Sequence, residues 1–127
     1  MSEIKILHIQ STDDTPEVSF NIESGEFLIK GKSLPENAYN FYCPILDFIK
    51  TNRLTKGIRN IFTVQLDYFN SSSGRFLFEL FTILENSEYS KEALTVKWVV
   101  ESDDELMMEK GEELQSMLNL NFEIESI

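Results

Sequence analysis

The chain has 127 residues, 42% of them hydrophobic and ten of them Phe, which suits one globular domain with a substantial core. A net charge of −11 at pH 7 argues against nucleic acid or an anionic membrane as a partner, because both would repel such a field. No run approaches the length of a membrane span and the N-terminus lacks a signal peptide's basic and apolar regions, while the one cysteine, Cys43, excludes an internal disulfide and fits a reducing cytoplasm.

In chain order, Ile4–Ile9 reads as a short strand at an edge, followed by a polar connection over Ser11–Pro16. Glu17–Ile22 and Glu26–Lys30 alternate with period two, and Glu23-Ser24-Gly25 between them is a hairpin signal. Val18, Phe20 and Ile22 share one face of the first strand, Phe27 and Ile29 that of the second. Ser33-Leu34-Pro35-Glu36 has the pattern of a helix start, with Pro in the first turn and Glu three residues after the cap candidate. Ala38, Phe41, Tyr42, Ile45, Leu46 and Ile49 then recur at the spacing of a core-facing helical stripe. Pro44 inside it removes a backbone donor and predicts a kink or a broken turn, and Cys43 beside it reads as a small packed residue. Arg53–Asn60 is a loop into the central strand.

Ile61–Phe69 alternates cleanly, with Phe62, Val64, Leu66 and Tyr68 on one side and Ile61, Thr63, Gln65, Asp67 and Phe69 on the other. Asn70-Ser71-Ser72-Ser73-Gly74 breaks the pattern with residues that cap helices and make tight turns. The run Phe76, Leu77, Phe78, Leu80, Phe81, Ile83, Leu84 is too long and leucine-rich for a strand and predicts a largely buried helix with three hydroxyls in its first turn. Asn86–Glu92 is a polar connection, and Leu94, Val96, Trp98 and Val100 alternate in a further strand. A helix starts at Ser102 or Asp103 and runs to about Leu118, with Asp103, Asp104 and Glu105 at its positive end, and Phe122 and Ile124 mark a final strand.

In each strand one face is apolar and the other mostly polar, whereas a parallel sheet covered on both sides requires near-continuous apolar strands. The expected fold class is therefore α/β, one domain over 1–127, with three helices over one face of a mixed sheet and the other face partly open.

Little supports catalysis. The single histidine, His8, lies in a predicted strand, Ser71–Ser73 sit in no nucleophile elbow, and the five glycines form no phosphate-binding loop. The acids Asp103, Asp104, Glu105, Glu109, Glu112 and Glu113 read as a solvated helix face or, without a histidine to join them, as a poor metal site, so no metal and no cofactor is expected. Residues 101–127 hold nine acids and one base, Lys110; Lys50, Arg53, Lys56 and Arg59 instead recur in an acid-free stretch. That strip either steers an acidic partner or is a solvated helix end and loop.

Asn70-Ser71-Ser72-Ser73, Pro35-Glu36-Asn37-Ala38, Phe41-Tyr42-x-Pro44, Trp98 and Asp103-Asp104-Glu105-x-Met107-x-Glu109-x-Gly111-Glu112 occur in this order between Thr15 and Glu123. Together they resemble the SiaC family of bacterial regulatory phosphoproteins. The resemblance implies a STAS-like (anti-sigma factor antagonist-like) fold and phosphorylation of one hydroxyl at the start of the helix after the central strand. It implies as partners a protein kinase, a metal-dependent serine/threonine phosphatase and a diguanylate cyclase-like target, in biofilm and c-di-GMP signalling. The unphosphorylated form would bind and activate that target, and the chain itself would be no enzyme.

Ser71–Ser73 have two readings, because serine is among the best N-cap residues and contributes about 1 kcal/mol as such. The resemblance places the family's modified hydroxyl, usually Thr, on Ser71, with Asn70, Ser72, Ser73 and Arg75 supporting the switch. Gly74-Arg75 departs from the family's more usual Ser and Lys. Arg75, one helical turn from Ser71, either leans toward a phosphate there or serves solvent or the partner. A different class of function stays open beside this one: a small-ligand-binding or sensory STAS-like domain that uses the open sheet face.

Overall fold

Alternating apolar and polar residues build six strands: β1 (Ile6–Ile9), β2 (Glu17–Asn21), β3 (Glu26–Ser33), β4 (Asn60–Phe69), β5 (Leu94–Val100) and β6 (Asn121–Ser126). They form one sheet in chain order, β1-β2-β3-β4-β5-β6. The first two pairings are antiparallel, and β3 through β6 run parallel. The structure, a computed structural model, describes residues 5–87 and 90–127. Ile4, expected to open the first strand, and residues 88–89 of the Asn86–Glu92 connection lie outside the described residues.

Each parallel connection carries a helix: α1 (Ala38–Thr51) after β3, α2 (Ser71–Glu85) with the single turn α3 (Ser90–Ala93) after β4, and α4 (Glu105–Met117) after β5. Parallel crossovers are right-handed, and here each steps one strand in the same direction, so the helices land on one face. Burial agrees. Phe20, Val64, Leu66 and Trp98 are at most 3% exposed, while Ser19, Thr63, Gln65 and Lys97 on the opposite face remain half-exposed. The mixed sheet with helices on one side is the architecture expected from the one-sided strands.

Phe20, Phe27 and Phe62 meet with ring centroids 5.2–5.5 Å apart under α1, and Trp98 stacks on Phe122 at 6.1 Å under α4. The expected α1 stripe is buried at Ala38, Tyr42, Ile45, Leu46 and Ile49, with Phe41 half-buried. The helix runs unbroken through Pro44. Pro44 and Asn40, whose carbonyl loses its donor, both lie on the exposed face, where water can take the hydrogen bond's place.

Four expectations are corrected. The α1 start is not Ser33-Pro35: β3 continues to Ser33, and Asn37 caps the helix by accepting from the Asn40 amide. The α4 start is likewise later, with Asp104 as its cap. The Asn86–Glu92 connection holds the start of a short helical turn, α3. Finally, β4 does not keep its alternation. Gly31 pairs with Leu66 but Lys32 pairs with Tyr68, so Asp67 is an extra residue in a bulge. Beyond it Tyr68 turns outward, 44% exposed, and Phe69 turns into the core at 6%.

Candidate functional site

The bulge decides what stands beneath the start of α2. With Phe69 facing inward, Asn70 leaves the strand in extended conformation and its side chain accepts a 2.9 Å hydrogen bond from the Ser73 amide. Asn70 is therefore the cap, and Ser71 is the first helical residue and not the cap. Ser71 and Ser72 are exposed, whereas Ser73 is fully buried.

Ser73 is one member of a buried hydroxyl chain. Its Oγ donates to the Ser33 carbonyl at 3.0 Å and accepts from Ser33 Oγ at 2.8 Å. With its own hydrogen committed, Ser33 Oγ accepts from the Tyr42 hydroxyl at 2.5 Å. The Asn70 amide also donates to the Ser33 carbonyl, at 3.2 Å. The end of β3, the middle of α1 and the first turn of α2 are thus tied at one point, and the Tyr42 ring stacks on Phe76 of α2 at 5.6 Å. Burial pushes the Tyr42 phenol above its ordinary pKa, against the opposing pull of the Ser33 and Ser73 hydroxyls beside it. Ser33 and Tyr42 were missed as site residues. Ser33 looked like a helix cap and Tyr42 like a core residue, and only their meeting with Ser73 gives them this role.

A cleft of about 320 Å³ opens beside Ser71, between α2 and α4. Ser71, Arg75 and Phe78 line it from α2, and Lys110, Glu113 and Met117 from α4. Phe69 lies in its floor. Its ring would be 3.1 Å from a Cβ at Gly74, stands edge-on to Trp98 at 5.9 Å, and carries the Lys110 ammonium 4.8 Å from its centroid. Glycine at position 74 lets the ring lie this close to the helix. Apolar surface is exposed at Tyr39, Tyr68, Phe78, Leu106 and Met117, between 38% and 63%.

The remaining candidates lie elsewhere. Lys50, in the last turn of α1, and Arg53, Lys56 and Arg59, between α1 and the start of β4, are exposed at the other end of a ten-residue strand from Ser71, or roughly 30 Å away. Lys56 and Arg59 line a second cleft of about 570 Å³ there. Asp104 is occupied in capping α4, where its Oδ1 accepts from the Met107 amide at 3.1 Å, and Asp103, Glu105, Glu109, Glu112 and Glu113 are exposed. No group of three or more His, Cys, Asp or Glu side chains suited to a metal ion occurs among the described residues. His8 is exposed and lies 3.8 Å from Glu17, and Cys43 is half-buried with its Sγ 3.9 Å from Asp47. No helix among the described residues is long and apolar enough to cross a membrane.

Residues 9–127 match the model of the SiaC family regulatory phosphoprotein. An uncharacterized protein of Pseudomonas aeruginosa strain UCBPP-PA14 is 26% identical over 121 residues, covering 94% of this chain and 95% of the relative. Among solved structures, SiaC of Pseudomonas aeruginosa aligns with a TM-score of 0.84 at 24% identity, over 98% of this chain and 100% of that one. The activator SiaC in its complex with the diguanylate cyclase SiaD, also from Pseudomonas aeruginosa, aligns with a TM-score of 0.85 at 23% identity, over 95% and 99%.

Proposed function

The chain belongs to the SiaC family of regulatory phosphoproteins, and we propose that it is a phosphoswitch in which Ser71 is the acceptor. In this reading the unphosphorylated form binds and activates a diguanylate cyclase, and so acts in c-di-GMP signalling and biofilm control. A protein kinase and a serine/threonine phosphatase set its state, and the chain performs no catalysis itself. The complex of a structural relative with a diguanylate cyclase supports the choice of target.

One observation carries the assignment to Ser71. Of the three adjacent serines, Ser73 is buried and holds the loop together, and Ser72 is exposed but does not line the cleft; Ser71 is exposed and lines it. A kinase reaches the Ser71 hydroxyl without opening the fold. The oxygen forms a bond to the γ-phosphorus of a nucleoside triphosphate, gives its proton to a base of the kinase and displaces the nucleoside diphosphate.

The product carries about −1.5 to −2 charge at the first residue of a helix, where the dipole tolerates or favours it. The fold should therefore survive. A partner that buries the same position must desolvate that charge and, bringing no cation of its own to meet it, incurs a cost of about 3–5 kcal/mol. At about 1.4 kcal/mol per tenfold, that weakens binding by at least a hundredfold. Asn70, Ser72, Ser73 and Arg75 support the switch in this reading, Asn70 and Ser73 by fixing the turn and Arg75 by leaning toward the phosphate from one helical turn on. Phosphopeptide mapping of protein isolated from its native host tests the assignment. Phosphate on Ser71 is expected; modification of Ser72, Ser73 or Thr63 with Ser71 untouched would refute it.

A further inference from the structure

We propose that the phosphate on Ser71 turns into the cleft between α2 and α4 and pairs there with Lys110, so that the modified residue closes the cleft itself. The inference rests on the phosphoswitch reading and adds to it a receptor on a second helix.

The cleft has the charge for this. The chain carries a net −11, yet the charged residues lining this cleft are two cations, Arg75 and Lys110, and one acid, Glu113. No salt bridge to either cation occurs among the described residues. Lys110 is also already in place. Its ammonium sits 4.8 Å from the centroid of Phe69, and that ring is held between Trp98 and the bare backbone of Gly74, three residues from Ser71. A cation resting on a ring face is partly desolvated and partly ordered, so moving it onto a dianion in the same cleft costs little further entropy.

The apolar part of the cleft supplies the consequence. Phe78, at 38% exposure, and Met117, at 52%, flank the space with Leu114 behind them. An apolar side chain of a partner can enter while Ser71 is a free hydroxyl. Once a phosphate bridges Ser71 and Lys110, the same space holds a charged, hydrated group. The switch then excludes the partner by occupying the cleft as well as by repelling it.

Phosphorus NMR on protein with phosphoserine installed at position 71 by codon reassignment tests this, whichever serine a cell modifies. The second pKa of the phosphate is expected below that of a free phosphoserine, about 6, and Lys110→Met should return it upward by about half a pH unit. Lys110→Met keeps the stem packed on Phe69, and Lys110→Arg should restore the lowered value. Phosphoserine installed at position 72 is the control, and should not respond to Lys110→Met. Arg75→Ala, titrated in parallel, reads the contribution assigned to Arg75. Equal pKa values at position 71 with and without Lys110, or an equal Lys110 dependence at positions 71 and 72, would overturn the proposal. Neither result touches the assignment of Ser71 as acceptor, which phosphopeptide mapping decides separately.

Discussion

Tyr42 is the residue whose loss would be felt furthest from its own position. Its hydroxyl donates into Ser33 Oγ at 2.5 Å, and Ser33 in turn satisfies Ser73 under the start of α2. In Tyr42→Phe the ring still packs on Phe76 and Ser33 keeps its bond to Ser73, so one buried hydrogen bond is lost. The expected cost is about 1 kcal/mol in urea unfolding. The pH dependence carries a sign that identifies the residue. Burial raises the folded pKa of the phenol above the ordinary value of about 10, so folding favours the neutral form. That contribution is fully present below the unfolded value and is lost as pH rises through the folded one. Tyr42→Phe should therefore be less stable than the wild type at neutral pH and lose less stability as pH rises above the ordinary phenol value of about 10. An unchanged alkaline profile would show that Tyr42 does not titrate as a buried group.

At the scale of the elements, α4 lies on β5 through a close approach at Gly111. A Cβ at Gly111 would fall 2.4 Å from Trp98 Cδ1 and 2.7 Å from its Nε1, and the same Nε1 donates to the Met107 carbonyl at 3.0 Å. Alanine is intrinsically the better helix former by about 1 kcal/mol. Trp98 is 1% exposed and cannot swing aside, so overpacking at about 1–3 kcal/mol outweighs that gain. Gly111→Ala should lower the stability measured by thermal or urea unfolding and should loosen the Trp98 indole hydrogen bond, visible in its NMR shift. A neutral or stabilising effect would mean that α4 slides easily on the sheet. The elements also show what the residues alone reveal. Period-two alternation placed the strands from β2 onward and the helical stripe placed α1, because both patterns are written in nearest neighbours on one face. The bulge at Asp67 was invisible, since it arises from the register between β3 and β4 and not from either strand. The start of α1 was misplaced for a related reason: Ser33, a good cap by type, is used in a buried bond to a residue forty positions away. The proposal of Ser71 came from the family resemblance, whereas the bonds of Ser33 to Tyr42 and Ser73, and the place of Lys110 in the cleft beside Ser71, required the three-dimensional meeting of β3, α1, α2 and α4.

Over the whole molecule, the division of labour follows from the one-sided sheet. Helices cover the face that carries Phe20, Val64 and Trp98, and the start of α2 emerges at one end of that layer beside exposed Tyr39, Tyr68 and Phe78. A charge added at Ser71 meets the helix dipole and two cations on its own chain, so it can alter recognition without loosening the core. The most direct test of the proposed switch is a calorimetric titration of the proposed diguanylate cyclase target with the protein carrying phosphoserine at position 71, alongside thermal melts of both forms. The account predicts affinity at least a hundredfold weaker than that of the unmodified protein, with melting temperatures within about 2 °C of each other. Equal affinity in the two forms, or a loss of binding that comes with a collapse in melting temperature, would contradict it.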